Sequence, residues 1–303
     1  MSKRAAGYLE LTENGELNRR VRSALAHLQA CDVCPLQCGV DRTKGALGIC
    51  QTGLKARVSS YGPHYGEERP ISGRRGSGTI FFSGCNLRCV YCQNADISQQ
   101  LSGLAYVPEG LAEMMLSLQA MGCHNINLVS PSHVVPQILA AVEVAAREGL
   151  SLPLVYNTGG YDSLEMLVLL DGVVDIYMPD MKYGDAENAC RYSQVRNYPE
   201  VNQMAVLEMH RQVGDLQVDE DGIAQRGLLV RHLVLPNDMA NSEEVLRFLA
   251  DKVSKNVYLN IMAQYHPAHH APEYYELRRR ITPQDYQRVI NLAKKFGLQR
   301  INF

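Results

Sequence analysis

The 303-residue chain has 30 basic and 32 acidic side chains, a net charge of −2 and 46% hydrophobic residues. No basic surplus speaks for nucleic acid, no apolar run is long enough to span a bilayer, and the length suits one large domain or one domain with an appendage. Nine cysteines, seven of them in two tight groups, point to metal in a reducing cytoplasm rather than to disulfides.

Residues 17–28 carry Leu17, Val21, Leu25 and Leu28 at helical spacing and read as an amphipathic helix. Cys31, Cys34, Cys38 and Cys50 follow, with Gly39, Gly45, Gly48 and Gly53 placed to turn the chain around a metal. Four thiolates close a tetrahedral zinc site or hold an iron–sulfur cluster, and ligand softness does not separate the two. A structural metal is the first expectation here, an electron-relay cluster the second and a metal-free reduced state the last. The stretch 62–78 is rich in Gly, Pro and Arg and reads as irregular connection. Residues 1–75 are thus a helix and a Cys-rich metal-binding element, and residues 76–303 are the main domain.

From residue 77 the pattern alternates strand and helix. Apolar runs predict strands at 79–83, 125–130, 154–158, 175–179, 228–235 and 257–262. Helices are predicted at 109–121, 134–148, 164–170, 186–213, 242–253 and 283–296. Ser163, Ser242 and Thr282 supply start signals, and Gly149 and Gly297 supply stops. Asp219, Glu220, Asp221 and Gly222 read as a hairpin turn before the fifth strand. Six strand–helix units predict a parallel sheet with right-handed crossovers. They are too few to close an eight-stranded barrel. The fold class is therefore α/β, a partial (β/α)6 TIM-like barrel with an N-terminal Cys-rich extension. Cys85, Ser130, Asn157, Asp180, Pro236 and Gln264 fall at or just beyond the carboxyl ends of these strands, where ligand groups collect. Cys123 and Cys190 read as small buried apolar residues.

Cys85, Cys89 and Cys92 stand at Cys-x3-Cys-x2-Cys spacing directly after the first of these strands. Three thiolates on a four-iron cluster leave one iron open, as catalysis requires. A closed zinc site needs a fourth ligand, and the nearest candidates, Cys50 and His64, lie upstream of the strand. This motif, with Tyr91 just before its third cysteine, resembles that of the radical S-adenosylmethionine superfamily. Further segments are similar to the pyruvate formate-lyase activating enzyme and its relatives: Tyr91-Cys92-Gln93-Asn94, Asn157-Thr158-Gly159-Gly160-Tyr161, Asp180-Met181-Lys182, and Val234-Leu235-Pro236 with Gln264-Tyr265-His266.

The resemblance implies a [4Fe-4S] cluster on Cys85, Cys89 and Cys92 and an S-adenosylmethionine beside it, with Tyr91 near the adenine. It implies a monovalent cation held by Thr158, Asp180 and the Met181 carbonyl, with Asn157 where the activating enzymes have an aspartate. Lys182 is expected near the S-adenosylmethionine carboxylate, and His266 is expected to face cofactor or substrate. Lys182 and His266 are thus the catalytic candidates. The Gly-Gly-Glu segment of the family is absent. Ser130, Ser132, a backbone carbonyl of this segment or a neutral His133 stands in its place to accept from the S-adenosylmethionine ammonium. The implied partners are an electron donor of flavodoxin or ferredoxin type and a protein substrate such as a glycyl-radical enzyme. The alternatives are a peptide, a nucleoside or a small metabolite as target, or a metal or redox-sensing module without enzymatic activity.

Overall fold

In the computed structural model, which describes residues 5–302, the apolar runs after residue 76 form the middle of one open α/β sheet. Two short helices come first, α1 (Tyr8–Glu13) and α2 (Glu16–Ala26). Leu17 and Val21, with Leu28 just beyond α2, are buried in the same apolar core as the sheet, as their spacing predicts. Strand β1 (Ala56–His64) then pairs antiparallel with β2 (Ser77–Phe82), with α3 (Arg69–Ser72) between them. The segment 62–78 is therefore not irregular throughout, despite its composition. Its Pro63 lies beyond the part of β1 that pairs with β3 (Leu104–Tyr106). There the outer edge carries no ladder, and a missing N–H costs nothing.

After β2 come α4 (Ala95–Ser98), β3, α5 (Pro108–Ala120), β4 (Ile126–Val129), α6 (Val135–Arg147), β5 (Leu154–Thr158), α7 (Leu164–Leu170) and β6 (Ile176–Pro179). Then follow α8 (Ala186–Ser193), α9 (Tyr198–Val213), β7 (Gln217–Val218), β8 (Ala224–Leu233), α10 (Ser242–Phe248), β9 (Tyr258–Met262), α11 (Pro283–Lys295) and β10 (Arg300–Asn302). The six predicted strands are β2, β4, β5, β6, β8 and β9, which lie side by side in that order, all parallel. β10 adds a parallel strand beyond β9. β3 and β10 are the two edges, so the sheet is open. The hairpin at Asp219–Gly222 joins β7 to β8, as the turn residues require. No helix among the described residues is long and apolar enough to cross a membrane.

The single helix expected over 186–213 is two. Gln194 takes a left-handed conformation, φ 62°, and ends α8. Pro199 then sits in the first turn of α9, where its missing N–H is tolerated. The break places Ser193 and Tyr198 beside the cavity described below. Of the three predicted caps, only Thr282 behaves as expected. It forms a capping box with Asp285 in front of Pro283. Ser163 makes no capping bond, and the Ser242 hydroxyl is instead engaged by His232 Nε2 at 2.9 Å.

Candidate active site

The carboxyl ends of β2, β4, β5, β6, β8 and β9 surround a cavity of about 440 Å³. Cys85, Cys89 and Cys92 all line it, with Tyr91, Ser130, Ser132, Asn157, Thr158, Asp180 and Lys182. The cysteine loop leaves β2 through Gly84, φ 85°, where a Cβ would stand 2.5 Å from the Cys50 carbonyl oxygen. No L side chain fits there. Long-range backbone bonds pin the loop: Val90 N–H donates to Tyr192 O at 2.8 Å and His270 N–H to Val90 O at 2.8 Å.

Each sulfur meets a hydrogen-bond donor. Leu87 N–H lies 3.4 Å from Cys85 Sγ, the Ser193 hydroxyl 2.9 Å from Cys89 Sγ and the Ser98 hydroxyl 3.2 Å from Cys92 Sγ. Ser193 is itself fixed by Tyr183 Oη at 2.7 Å. Burial, reinforced by Cys89, pushes the Cys85 thiol up to about 12. A bound metal would supply the charge that favours the thiolate form. The donor set therefore fits an iron–sulfur cluster: three soft ligands on one loop, each hydrogen-bonded, facing one enclosed space. Tyr91 lines this space too, but its ring is only 5% exposed and packs edge-on against Tyr183 and Tyr265.

A charged wall shares the cavity. Lys182 Nζ is 2.6 Å from Asp180 Oδ2, and Arg231 Nε is 2.8 Å from Asp180 Oδ1. Arg231 Nη2 also donates to Asn157 Oδ1 at 2.7 Å. Burial disfavours the Asp180 carboxylate, but Arg231 and Lys182 outweigh it and hold the group below the usual range. Burial likewise opposes the Lys182 charge, and Asp180 with Cys89 outweighs it, so the ammonium persists. Glu67 lines the same cavity with Oε2 4.0 Å from Arg231 Nη1, so two cations meet two carboxylates, of which burial pushes the Glu67 carboxyl up toward its neutral form.

The expected monovalent cation is not supported by this arrangement. Asp180 is already shared by two fixed cations, and the Met181 carbonyl lies 2.7 Å from His232 Nδ1. The Thr158 hydroxyl donates to Asp162 Oδ2 at 2.7 Å. The Arg231 guanidinium donates to oxygens of both Asp180 and Asn157, two of the residues expected around an ion. Replacing potassium and sodium by tetramethylammonium is expected to leave S-adenosylmethionine affinity unchanged in equilibrium dialysis. A dependence on a small cation would show that an ion, not Arg231, completes the wall.

Ser130 sits at the end of β4 with φ 58°, a strained position for a residue with a Cβ, and its N–H donates to Asn157 O at 2.9 Å. Ser132 Oγ is 2.9 Å from Thr158 Oγ1 and joins a buried network ending on Asp162, which also accepts from Tyr156 Oη at 2.8 Å. His133 does not reach the cavity lining. It is 1% exposed, and its Nε2 lies 3.0 Å from Ser83 O. His266 is half-buried at the rim, its Nδ1 3.4 Å from Gln93 Nε2, and does not line the cavity. Sequence reasoning missed Arg231, Ser193 and the cavity-lining Glu67, whose partners lie far along the chain, and Asp162, whose partners Tyr156 and Thr158 are close in sequence. Only Asp162 carried a signal, as an acid closing a Gly-Gly turn.

Burial, aided by Arg42 and opposed by the bond to Ser83, lowers the His133 pKa to about 4. A depressed histidine contributes stability that is complete above its unfolded pKa of about 6.5 and is lost as pH falls toward the folded value. The loss amounts to about 3 kcal/mol over that interval. His133→Gln, which keeps a donor for Ser83 O, is expected to flatten this part of the stability curve in urea unfolding at successive pH values. An unchanged slope would show that other groups cause it.

An open parallel sheet with three converging thiolates and a charged wall at its strand ends is the frame of an enzyme that works through a metal cluster and a charged ligand. The model of the radical SAM superfamily matches residues 79–249, and this chain belongs to the radical SAM superfamily. It is 31% identical over 301 residues to an uncharacterized protein of Methanocaldococcus jannaschii, covering 97% of this chain and 82% of that protein. Among solved structures, a radical SAM methyltransferase from Sphaerobacter thermophilus aligns with a TM-score of 0.49 and 15% identity. The match covers 74% of this chain and 65% of the methyltransferase. TYW1 with a lysine–pyruvate adduct bound aligns with a TM-score of 0.43 and 10% identity over 72% of each chain. Membership in the superfamily implies an enzyme with a [4Fe-4S] cluster, S-adenosylmethionine and a reductant.

Proposed function

We propose that this chain is an activase-like radical SAM enzyme that abstracts hydrogen from a protein substrate, a glycyl-radical enzyme by resemblance. The observation that carries the reading is the meeting of Cys85, Cys89 and Cys92 with Asp180, Lys182 and Arg231 in one cavity. A [4Fe-4S] cluster bound there would supply the electron that splits S-adenosylmethionine into methionine and a 5′-deoxyadenosyl radical.

In this reading Lys182 and Arg231 attract the methionyl carboxylate, Lys182 as a point charge and Arg231 through its planar fork. Asp180 holds both cations in place. Ser130 is the acceptor for the ammonium, since Ser132 and Thr158 are tied to Asp162 and His133 faces away. Tyr91 closes the adenine end as an apolar edge. His266, with Gln93, meets the substrate at the rim. Residues 76–303 act as the catalytic partial barrel, and residues 1–75 as a metal-binding element fastened to it. An electron donor of flavodoxin or ferredoxin type serves the cycle.

Anaerobic reconstitution with iron and sulfide, followed by dithionite and S-adenosylmethionine, tests the chemistry through 5′-deoxyadenosine. None forming with intact cluster spectra would sink the enzymatic reading. The substrate is tested separately. A glycyl-radical electron paramagnetic resonance doublet that appears on a partner only with this protein decides for activation, whereas uncoupled 5′-deoxyadenosine with every such partner decides against it.

Ser193 is a positioning residue for this centre. Hydrogen bonds to cluster sulfurs stabilise the reduced, more negative state. Ser193→Ala is expected to move the midpoint potential negative by on the order of tens of millivolts in a redox titration followed by electron paramagnetic resonance. An unmoved potential would leave the hydroxyl with a packing role alone.

A further inference from the structure

The four N-terminal cysteines lie outside the cavity, and the chemistry above does not use them. All four are free thiols; Cys31, Cys34 and Cys50 are buried and Cys38 partly so. The chain folds tightly around them. Cys31 N–H donates to Val40 O at 2.9 Å, Gly39 N–H to Cys31 O at 2.9 Å and Gln37 N–H to Cys34 O at 3.0 Å. Near Cys50 the backbone turns directly against Cys38, because a Cβ on Gly48 would stand 2.5 Å from Cys38 Sγ. Cys34 lies within electrostatic reach of the other three. Distant segments have thus been brought to one place by the fold.

Arg42 provides the second observation. It is 1% exposed, its Nε donates to Gly53 O at 3.0 Å and its Nη1 to His133 O at 2.9 Å. Nη1 also lies 3.8 Å from Cys31 Sγ, while Nη2 is buried with no partner. No carboxylate pairs with this guanidinium among the described ion pairs. A buried, unpaired cation is costly unless a negative charge stands nearby. Four thiolates on a metal centre carry such a charge, and four protonated thiols do not.

The spacing indicates which metal centre. A zinc ion with Zn–S bonds of about 2.3 Å holds its tetrahedral sulfurs about 3.8 Å apart. Among the described residues, no three of these four sulfurs lie within 4.8 Å of one another. The same is true of Cys85, Cys89 and Cys92, the set the superfamily assigns to a cluster. A cuboidal cluster binds each thiolate to a different iron and so holds its ligands further apart than a single ion does.

We propose that Cys31, Cys34, Cys38 and Cys50 hold a second iron–sulfur cluster, of the [4Fe-4S] type, with Arg42 as its buried counter-charge. The inference rests on the reading of residues 1–75 as a metal-binding element and names its metal. All four ligands are protein thiolates, so no iron is left open, and the centre has no place for S-adenosylmethionine. It adjoins the catalytic loop: Arg88 of that loop donates to the Ile49 carbonyl, and Gly84 abuts the Cys50 carbonyl.

The decisive experiment removes the first cluster and counts what remains. After anaerobic reconstitution, the Cys85→Ala/Cys89→Ala/Cys92→Ala variant is expected to retain about four irons and as many sulfides per chain, with the broad thiolate-to-iron absorption. The unaltered chain is expected to hold about twice that iron, a count that needs no variant to fold. Zinc in place of iron, or no bound metal, overturns the proposal. Arg42→Met in the triple variant is expected to shift the remaining midpoint potential to more negative values, and Arg42→Lys to restore it in part. A potential indifferent to both removes Arg42 from the role. Iron retained in the triple variant while the unaltered protein forms no 5′-deoxyadenosine would leave this proposal standing and the proposed activity fallen.

Discussion

The Cys89→Ala variant is expected to form no 5′-deoxyadenosine above background when reconstituted anaerobically and supplied with dithionite and S-adenosylmethionine. Cys89 is the middle cysteine of the triad and its most buried member, 8% exposed. Its sulfur receives the Ser193 hydroxyl, which Tyr183 holds from behind. Alanine removes the soft donor and leaves the hydroxyl facing a methyl group, and no neighbouring side chain replaces the thiolate. Two ligands do not secure a four-iron cluster. Cys123→Ala is the matched control: Cys123 is 2% exposed and lies in the main apolar core, away from the cavity. It is expected to cost about 1 kcal/mol of stability and to leave product formation unchanged. Wild-type product levels in Cys89→Ala would show that the triad is not the working centre.

Asp180→Asn is expected to lower stability by about 3 kcal/mol, seen as a fall of roughly 5–10 °C in Tm. Lys182, Asp180 and Arg231 have side chains 19%, 15% and 17% exposed, so solvent screens them only in part. With the carboxylate gone, two cations face each other across a neutral amide and each loses a charge-assisted bond. Removing Arg231 as well relieves the repulsion. Asp180→Asn/Arg231→Met should therefore be less destabilised than the sum of the two single variants, and the double-mutant cycle reads their coupling. The pH dependence has a fixed sign. Asp180 has its carboxyl held below the ordinary value, so its contribution is present above the unfolded pKa of about 4 and is lost as pH falls through the lower folded value. Strict additivity in the cycle would show that Asp180 and Arg231 do not act as a pair.

Much of this site was legible because its signals are local. Cys85, Cys89 and Cys92 fall on one tight loop whatever surrounds them. Asp180 and Lys182 are two residues apart and emerge together from the end of β6. Strands β2, β5 and β6 are buried along nearly their whole length because their neighbours cover both faces, and such runs read as buried parallel strands. Strand β1 escaped notice for the opposite reason. Its half-exposed stretch carries Gly62 and Pro63, which read as breakers but are tolerated along a free edge.

The residues that complete the site were not legible, because their partners lie far along the chain. Arg231 meets Asp180 across 51 positions, and Ser193 meets Cys89 across 104. Their meeting depends on strand register and on the break at Gln194, neither of which leaves a periodic trace. His133 shows the limit at a single residue. The segment 130–133 was placed correctly at the end of β4, but the direction of each side chain there was not, and one faces the cavity while another faces Ser83.

By itself the sequence determined the parallel α/β architecture, the thiolate triad and the Asp180–Lys182 pair, since hydrophobic periodicity and short ligand spacing are properties of a few consecutive residues. Only the tertiary structure decided that Arg231 joins Asp180 and Asn157, that His133 faces Ser83 rather than the cavity and that Arg42 lies buried beside the second cysteine group. Those outcomes depend on which charges are buried together, and burial is set by the packing of the whole chain.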